Sequence, residues 1–147
     1  MFKRILVAVD GSATSNKALV IALNLARDCG ASVRLFHALD QLVYMGAYDY
    51  NPDLLTIVHD DARRVLADAL AIAQSAGIES DTVLVDDLSQ RMGVSVSQEA
   101  LKFGADLIVV GTHGRRGIGR VLLGSGAEEI LRMAPVPVLT VRGDEQG

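Results

Sequence analysis

Residues 4–10, RILVAVD, are apolar at nearly every position rather than at every second one, the pattern of a strand covered on both faces. Gly11 and Ser12 break the run. From residue 13 to residue 29 the apolar positions Ala18, Ile21, Ala22, Leu25 and Ala26 recur at helical spacing, and Gly30 supplies a stop. Residues 32–39 form a second dense run. The chain therefore opens as strand, tight turn, helix and strand, with parallel strands and a right-handed crossover expected.

Residues 40–52 hold no sustained period and carry Tyr44, Gly46, Tyr48 and Tyr50, an irregular excursion of the kind that covers sites. Beyond it Leu54, Ile57, Val58, Val65, Leu66, Ala69, Leu70 and Ala73 draw an apolar stripe along a long helix that Gly77 ends. The pattern then predicts a strand over 82–85, a weaker helix over 94–103 stopped by Gly104, and a strand over 106–110. A glycine-rich segment follows, then a short helix over 127–133 and a last strand, Val138–Val141. Pro137 cannot donate a ladder hydrogen bond, so this strand belongs at a sheet edge. Five strands alternating with four helices predict a single α/β domain over residues 1–147, built on a doubly wound parallel sheet.

Composition narrows the picture. Half of the residues are hydrophobic, yet there are three Phe, three Tyr and no Trp, so the core must be built from Val, Leu, Ile and Ala. The single Cys29 excludes an internal disulfide and a cysteine-based metal knuckle. The opening apolar run is too short to span a bilayer and too quickly acidic for a secretion signal, so a cytoplasmic protein is expected. A formal charge of -4 argues against nonspecific nucleic-acid binding, and no nucleic-acid partner is expected.

The candidate chemistry lies in GTHGRRGIGRVLLGS, residues 111–125. It follows the fourth strand directly, and in open α/β sheets ligands collect outside the carboxyl ends of the strands. Gly111 and Gly114 permit close backbone approach, and successive amides in such a turn can converge on phosphate oxygens. Gly124, Ser125 and Gly126 stand where the next helix begins, so free amides and the helix dipole favour an anion there. Ser125 equally suits an ordinary N-cap, with Glu128 at capping-box spacing. Arg115, Arg116 and Arg120 could screen a polyphosphate or simply be solvated. Asp10, on the same rim, suits ribose hydroxyls or a phosphate-bound Mg²⁺, and equally a cap for the helix near Ala13. Backbone groups of Ala38 and Leu39 could meet an adenine edge.

His113 stands among glycines and could touch phosphate, but no nucleophile accompanies it at recognisable spacing. His37, in an apolar strand, reads as a satisfied, partly buried residue, and His59 with Asp60 and Asp61 forms no ligand motif. The pattern lacks the G-x-S-x-G elbow, the Walker lysine and the G-x-G-x-x-G fingerprint. Ala8 stands where a haloacid-dehalogenase-like phosphatase would need its nucleophile. A phospho-receiver would want a lysine after the last strand, where Arg142 is the nearest cation.

The order ILVAVDGS, ADLIVVGTHGRRG and VPVLTVR, with Gly111, Gly114, Gly124 and Ser125 meeting a G-x2-G-x9-G-[ST] signature, resembles the universal stress protein family over essentially the full length. The resemblance implies sheet order 3-2-1-4-5. It implies ATP as ligand, with Asp10 toward ribose or metal, Gly111 and Gly114 against ribose and nearer phosphates, and Gly124, Ser125 and Gly126 on the distal phosphates. Pairing of Val138–Val141 across a two-fold axis is implied too, giving a homodimer or higher homo-oligomer. Asp86 and Asp87 depart from the glycine or proline of many relatives, and two carboxylates near a triphosphate repel it unless turned away or bridged by a cation. The expected function is a nucleotide-dependent regulatory switch in which ATP orders the segment 115–123 for an unidentified protein partner, a membrane transporter contacted from the cytosol among the candidates. A slow ATP hydrolase and a ligand-free partner-binding dimer are the alternatives.

Overall fold

The computed structural model describes residues 1–39, 52–87, 89–112 and 123–143. In chain order the elements are β1 (Arg4–Ala8), α1 (Ala13–Cys29), β2 (Ser32–Ala38), α2 (Pro52–Ser75), β3 (Ser80–Val85), α3 (Met92–Phe103), β4 (Leu107–Gly111), α4 (Ser125–Met133) and β5 (Val138–Val141). The strands form one parallel sheet in the order β3-β2-β1-β4-β5, as the resemblance implied. β5 takes the edge that Pro137 required.

Alternation along the central strands explains their unbroken apolar runs. Ile5, Val7, Val33, Leu35, Leu107 and Val109 face α1 and α2, and pack on Ala18, Leu19, Ala22, Val65, Leu66 and Ala69. Leu6, Ala8, Phe36, Ile108 and Val110 face the other way, onto Val96, Ala100 and Phe103 of α3 and Ala127 and Ile130 of α4. A strand with a core on each side has no polar face to show. Each fully buried side chain of this size contributes roughly 1.5–3 kcal/mol.

Element ends follow local chemistry. Gly30 and Gly104 close α1 and α3 in the left-handed conformation, with φ of 69° and 73°, where a Cβ would be strained. The chain after Gly104 is fastened to the start of β1: the Asp106 carboxylate accepts from the amides of Lys3 (2.9 Å) and Arg4 (3.1 Å). The Arg4 guanidinium also donates to the Phe103 carbonyl at 2.7 Å.

One polar cluster joins the sheet to α3. Arg34 of β2 grips Asp81 of β3 with two prongs at 2.9 Å, donates to Glu99 of α3 at 2.9 Å, and lies 4.4 Å from the Phe103 ring centroid. The Asp81 hydrogen bond, then its charge and those of Glu99, outweigh desolvation and raise the Arg34 pKa further above its ordinary value. Glu99 is otherwise buried, so Arg34 makes its burial tolerable. Among the described residues no helix is long and apolar enough to cross a membrane.

Candidate functional site

The sheet order makes a switch point. From β1 the chain crosses through α1 to β2 on one side, and from β4 through α4 to β5 on the other. A crevice therefore opens between the carboxyl ends of β1 and β4, the place where open α/β sheets bind ligands. Asp10 leaves one lip of it. Gly111 and Thr112 leave the other.

On the β1 lip the turn into α1 is held by side chains. Asp10 Oδ1 accepts from the Ser12 amide at 2.8 Å, Ser12 Oγ caps the Ser15 amide at 3.1 Å, and the Asp10 amide donates to Ser15 Oγ at 2.9 Å. Gly11, at φ 83°, makes the bend. The helix cap is thus Ser12, and Asp10 is the brace that aims it.

The α4 lip is built differently. Its N-cap is Gly124, at φ -65° and ψ 158°, with no side-chain cap hydrogen bond. Ser125 is the first helical residue, so the expected capping box does not form: the Glu128 amide bonds the Gly124 carbonyl at 2.9 Å, and the Glu128 carboxylate pairs with Arg132 at 3.1 Å. The Gly124 amide itself donates to the Thr112 carbonyl. The amides of Ser125, Gly126 and Ala127 precede the first intrahelical bond and carry the positive end of the helix dipole. Ser125 is exposed and Gly126 half-buried.

The end of β2 supplies the third side. The Leu39 amide donates to the Val85 carbonyl at 3.1 Å and is committed to β3. The Val9 amide donates to the Phe36 carbonyl at 2.8 Å, so residue 36, and by alternation Ala38, turn their backbone groups toward β1. β1 has left the sheet by Asp10, which places Ala38's polar groups beside the crevice. His37 Nδ1 donates to the Val9 carbonyl at 2.7 Å, a clamp between two strand ends and the satisfied role its apolar setting suggested.

His113, Gly114 and Arg115 lie outside the described residues, as do Arg116, Arg120 and most of 40–52. Asp86 and Asp87 follow β3, which β2 separates from the crevice. The Ser89 hydroxyl and then its amide hold the Asp87 carboxyl below the usual carboxylate range, at 2.5 Å and 3.0 Å, so it stays charged. Among the described residues no three His, Cys, Asp or Glu converge to hold a metal. An opening of about 170 Å³, small for an organic ligand, lies between α1 and α2 and reaches the β1 lip, lined by Val9, Gly11, Asn16, Asp61, Arg64 and Val65 among others. Thr112 bonds the Val141 carbonyl and the Gly124 amide. It works through its backbone, which no side-chain motif can announce.

A model of the universal stress protein family matches residues 1–142. The chain belongs to that family. A curated universal stress protein from Thermus aquaticus, described as lying in the QAH/OAS sulfhydrylase 3'region, is 34% identical over 143 residues, 97% of this chain and 100% of that one. The solved structure of a universal stress protein family member from Burkholderia pseudomallei is 35% identical, covers 94% of each chain and superposes with a TM-score of 0.74. A universal stress protein solved in complex with cAMP is 26% identical, covers 96% of this chain and 97% of that one, with a TM-score of 0.64. Gly111 ends β4, and the bond from the Gly124 amide to the Thr112 carbonyl holds the start of α4, with Ser125 as its first residue, beside that strand end.

Proposed function

We propose that this universal stress protein binds an adenine nucleotide, ATP with Mg²⁺, across the β1/β4 switch point, and acts as a nucleotide-responsive regulatory protein. The carrying observation is the contrast between two helix starts on one rim. α1 satisfies two of its leading amides, those of Ser12 and Ser15, with the side chains of Asp10 and Ser12, whereas α4 has no side-chain cap for the amides of Ser125, Gly126 and Ala127. An uncapped helix start at a switch point suits phosphate. The solved relative holding cAMP supports adenine as the base.

In this reading Ala38 meets the adenine edge, Gly111 permits close approach of the ribose, and Asp10 just past the end of β1 faces ribose or the phosphate-bound cation. Gly114, His113 and Arg115 keep their sequence-based assignment toward phosphate. The metal would take most of its oxygens from phosphate and water, with Asp10 adding charge. A cytoplasmic setting and a protein partner that reads nucleotide occupancy belong to the same proposal.

Self-association through β5 is proposed alongside. The Ile108 amide donates to the Pro137 carbonyl and the Thr112 amide to the Val141 carbonyl, so residues 137 and 141 face β4 and Val138 and Thr140 turn their backbone groups outward. A half-exposed aliphatic edge that turns backbone amides outward needs a cover, and a second copy of β5 supplies one.

Calorimetric titration of nucleotide-free protein with Mg-ATP, Mg-ADP and AMP tests the proposal. Affinity should rise with phosphate number, and Ser125→Ala with Gly114→Ala should weaken ATP about tenfold or more while the fold persists. Absence of binding by any of the three, with no nucleotide carried through purification, would sink it. Turnover measured on the same samples separates a switch from a hydrolase.

A further inference from the structure

We infer that His37 and Ser15 are positioning residues of the nucleotide site, which clamp the Val9–Asp10 peptide unit from its two sides and so fix where Asp10 points. The inference rests on the nucleotide reading above and deepens it. β1 ends at Ala8, and the next two residues carry the chain off the sheet. The Val9 amide still donates to the Phe36 carbonyl at 2.8 Å. In a continuing parallel ladder the Val9 carbonyl would then accept from the Ala38 amide, two residues past Phe36. Here the donor is a side chain: His37 Nδ1 lies 2.7 Å from the Val9 oxygen. A carbonyl oxygen only accepts, so Nδ1 carries the proton.

The other side of the same peptide unit is held as well. Its N–H, the Asp10 amide, donates to Ser15 Oγ at 2.9 Å. Ser15 is buried, and its own amide bonds Ser12 Oγ at 3.1 Å, so its hydroxyl is a fixed point on α1. A peptide unit is planar, and one held at its C=O by β2 and at its N–H by α1 keeps a single orientation. Asp10 leaves the sheet from that unit, with its carboxylate turned onto the Ser12 amide at 2.8 Å. A group aimed before its ligand arrives loses little freedom on binding. Neither clamp is needed to build the elements. Ser12 caps α1, and Leu35, on the same face of β2 as His37, shows that an aliphatic side chain meets the demands of burial there.

His37→Leu and Ser15→Ala each remove one side of the clamp. His37→Asn is the rescue, because an asparagine amide nitrogen takes the place of Nδ1. The first readout needs no nucleotide: hydrogen exchange at the Asp10 and Ser12 amides should quicken about tenfold or more in His37→Leu and return toward the wild-type rate in His37→Asn, with the middle of α1 unchanged. The second is titration with Mg-ATP of wild type, Asp10→Ala, His37→Leu and the double variant. Each single variant should weaken binding about fivefold or more, and the double variant should bind as Asp10→Ala does, because His37 acts through Asp10.

Unchanged exchange at Asp10 and Ser12 in His37→Leu overturns the inference and leaves the nucleotide reading intact. Losses that add in the double variant also overturn it, since His37 would then act by another route. Wild type that binds no Mg-ATP overturns the nucleotide reading and with it the role assigned to the clamp; quickened exchange in His37→Leu distinguishes that outcome from failure of the clamp itself. Should His37→Leu not fold, Ser15→Ala carries the same cycle with Asp10→Ala, and additive losses there overturn the inference in the same way.

Discussion

Asp106 shows how one side chain fixes where the sheet begins. Burial alone would raise its pKa, but the amides of Lys3 and Arg4 outweigh that and hold the carboxyl below its usual range. A carboxylate depressed in the folded state contributes stability above its unfolded pKa of about 4, and that contribution disappears as pH falls through the folded value. Asp106→Asn should therefore lower stability at neutral pH, and the gap from wild type should close on acidification below the carboxylate range. Urea denaturation at a series of pH values reads this directly; a gap that persists in acid would mean that shape rather than charge matters there. Asp106 was legible only as the polar start of a strand. Its partners are amides at the far end of the chain, and pairing of that range leaves no periodicity.

Elements were legible where burial dictates residue type and illegible where a specific partner does. β1, β2, β4 and α2 announced themselves because a two-sided core or an apolar stripe admits few other residues. β3 begins at Ser80 rather than residue 82, since Asp81 joins the ladder as the partner of Arg34, and edge-strand polarity hid it. α3 begins at Met92 rather than residue 94, so Gly93 stands in its first turn. A Cβ at Gly93 would lie 2.8 Å from the Glu129 carbonyl oxygen, so glycine here allows α3 and α4 to touch backbone to side. Gly93→Ala gains some helix propensity, but the obstacle is main chain that cannot swing aside, and the clash should win by about 1–3 kcal/mol. Equilibrium denaturation should show a lower midpoint with an unchanged slope. A stabilised variant would mean that the two helices part at no cost. Of the two uses open to Ser125, the cap falls away because Gly124 holds the N-cap position, one residue earlier than the capping-box spacing placed it.

For the whole molecule, the doubly wound order and the switch point follow from parallel strands joined by short crossovers, and Gly111 and Gly124 then fall on one rim. The proposed self-association belongs to this scale. Thr140 turns its amide away from β4, so Thr140→Pro removes an outward donor without cutting the inner ladder. Sedimentation should show a wild-type dimer and a folded, monomeric Thr140→Pro variant; a variant that stays dimeric would place the contact elsewhere. The central claim is that phosphate is held at the start of α4. Titration of isotope-labelled, nucleotide-free protein with Mg-ATP, followed through its backbone amide resonances, tests it most directly. The largest saturable shifts should fall on Ser125, Gly126 and Ala127, with smaller ones at Asp10, Ala38 and Gly111. Saturable binding that leaves those three amides unmoved would contradict the account.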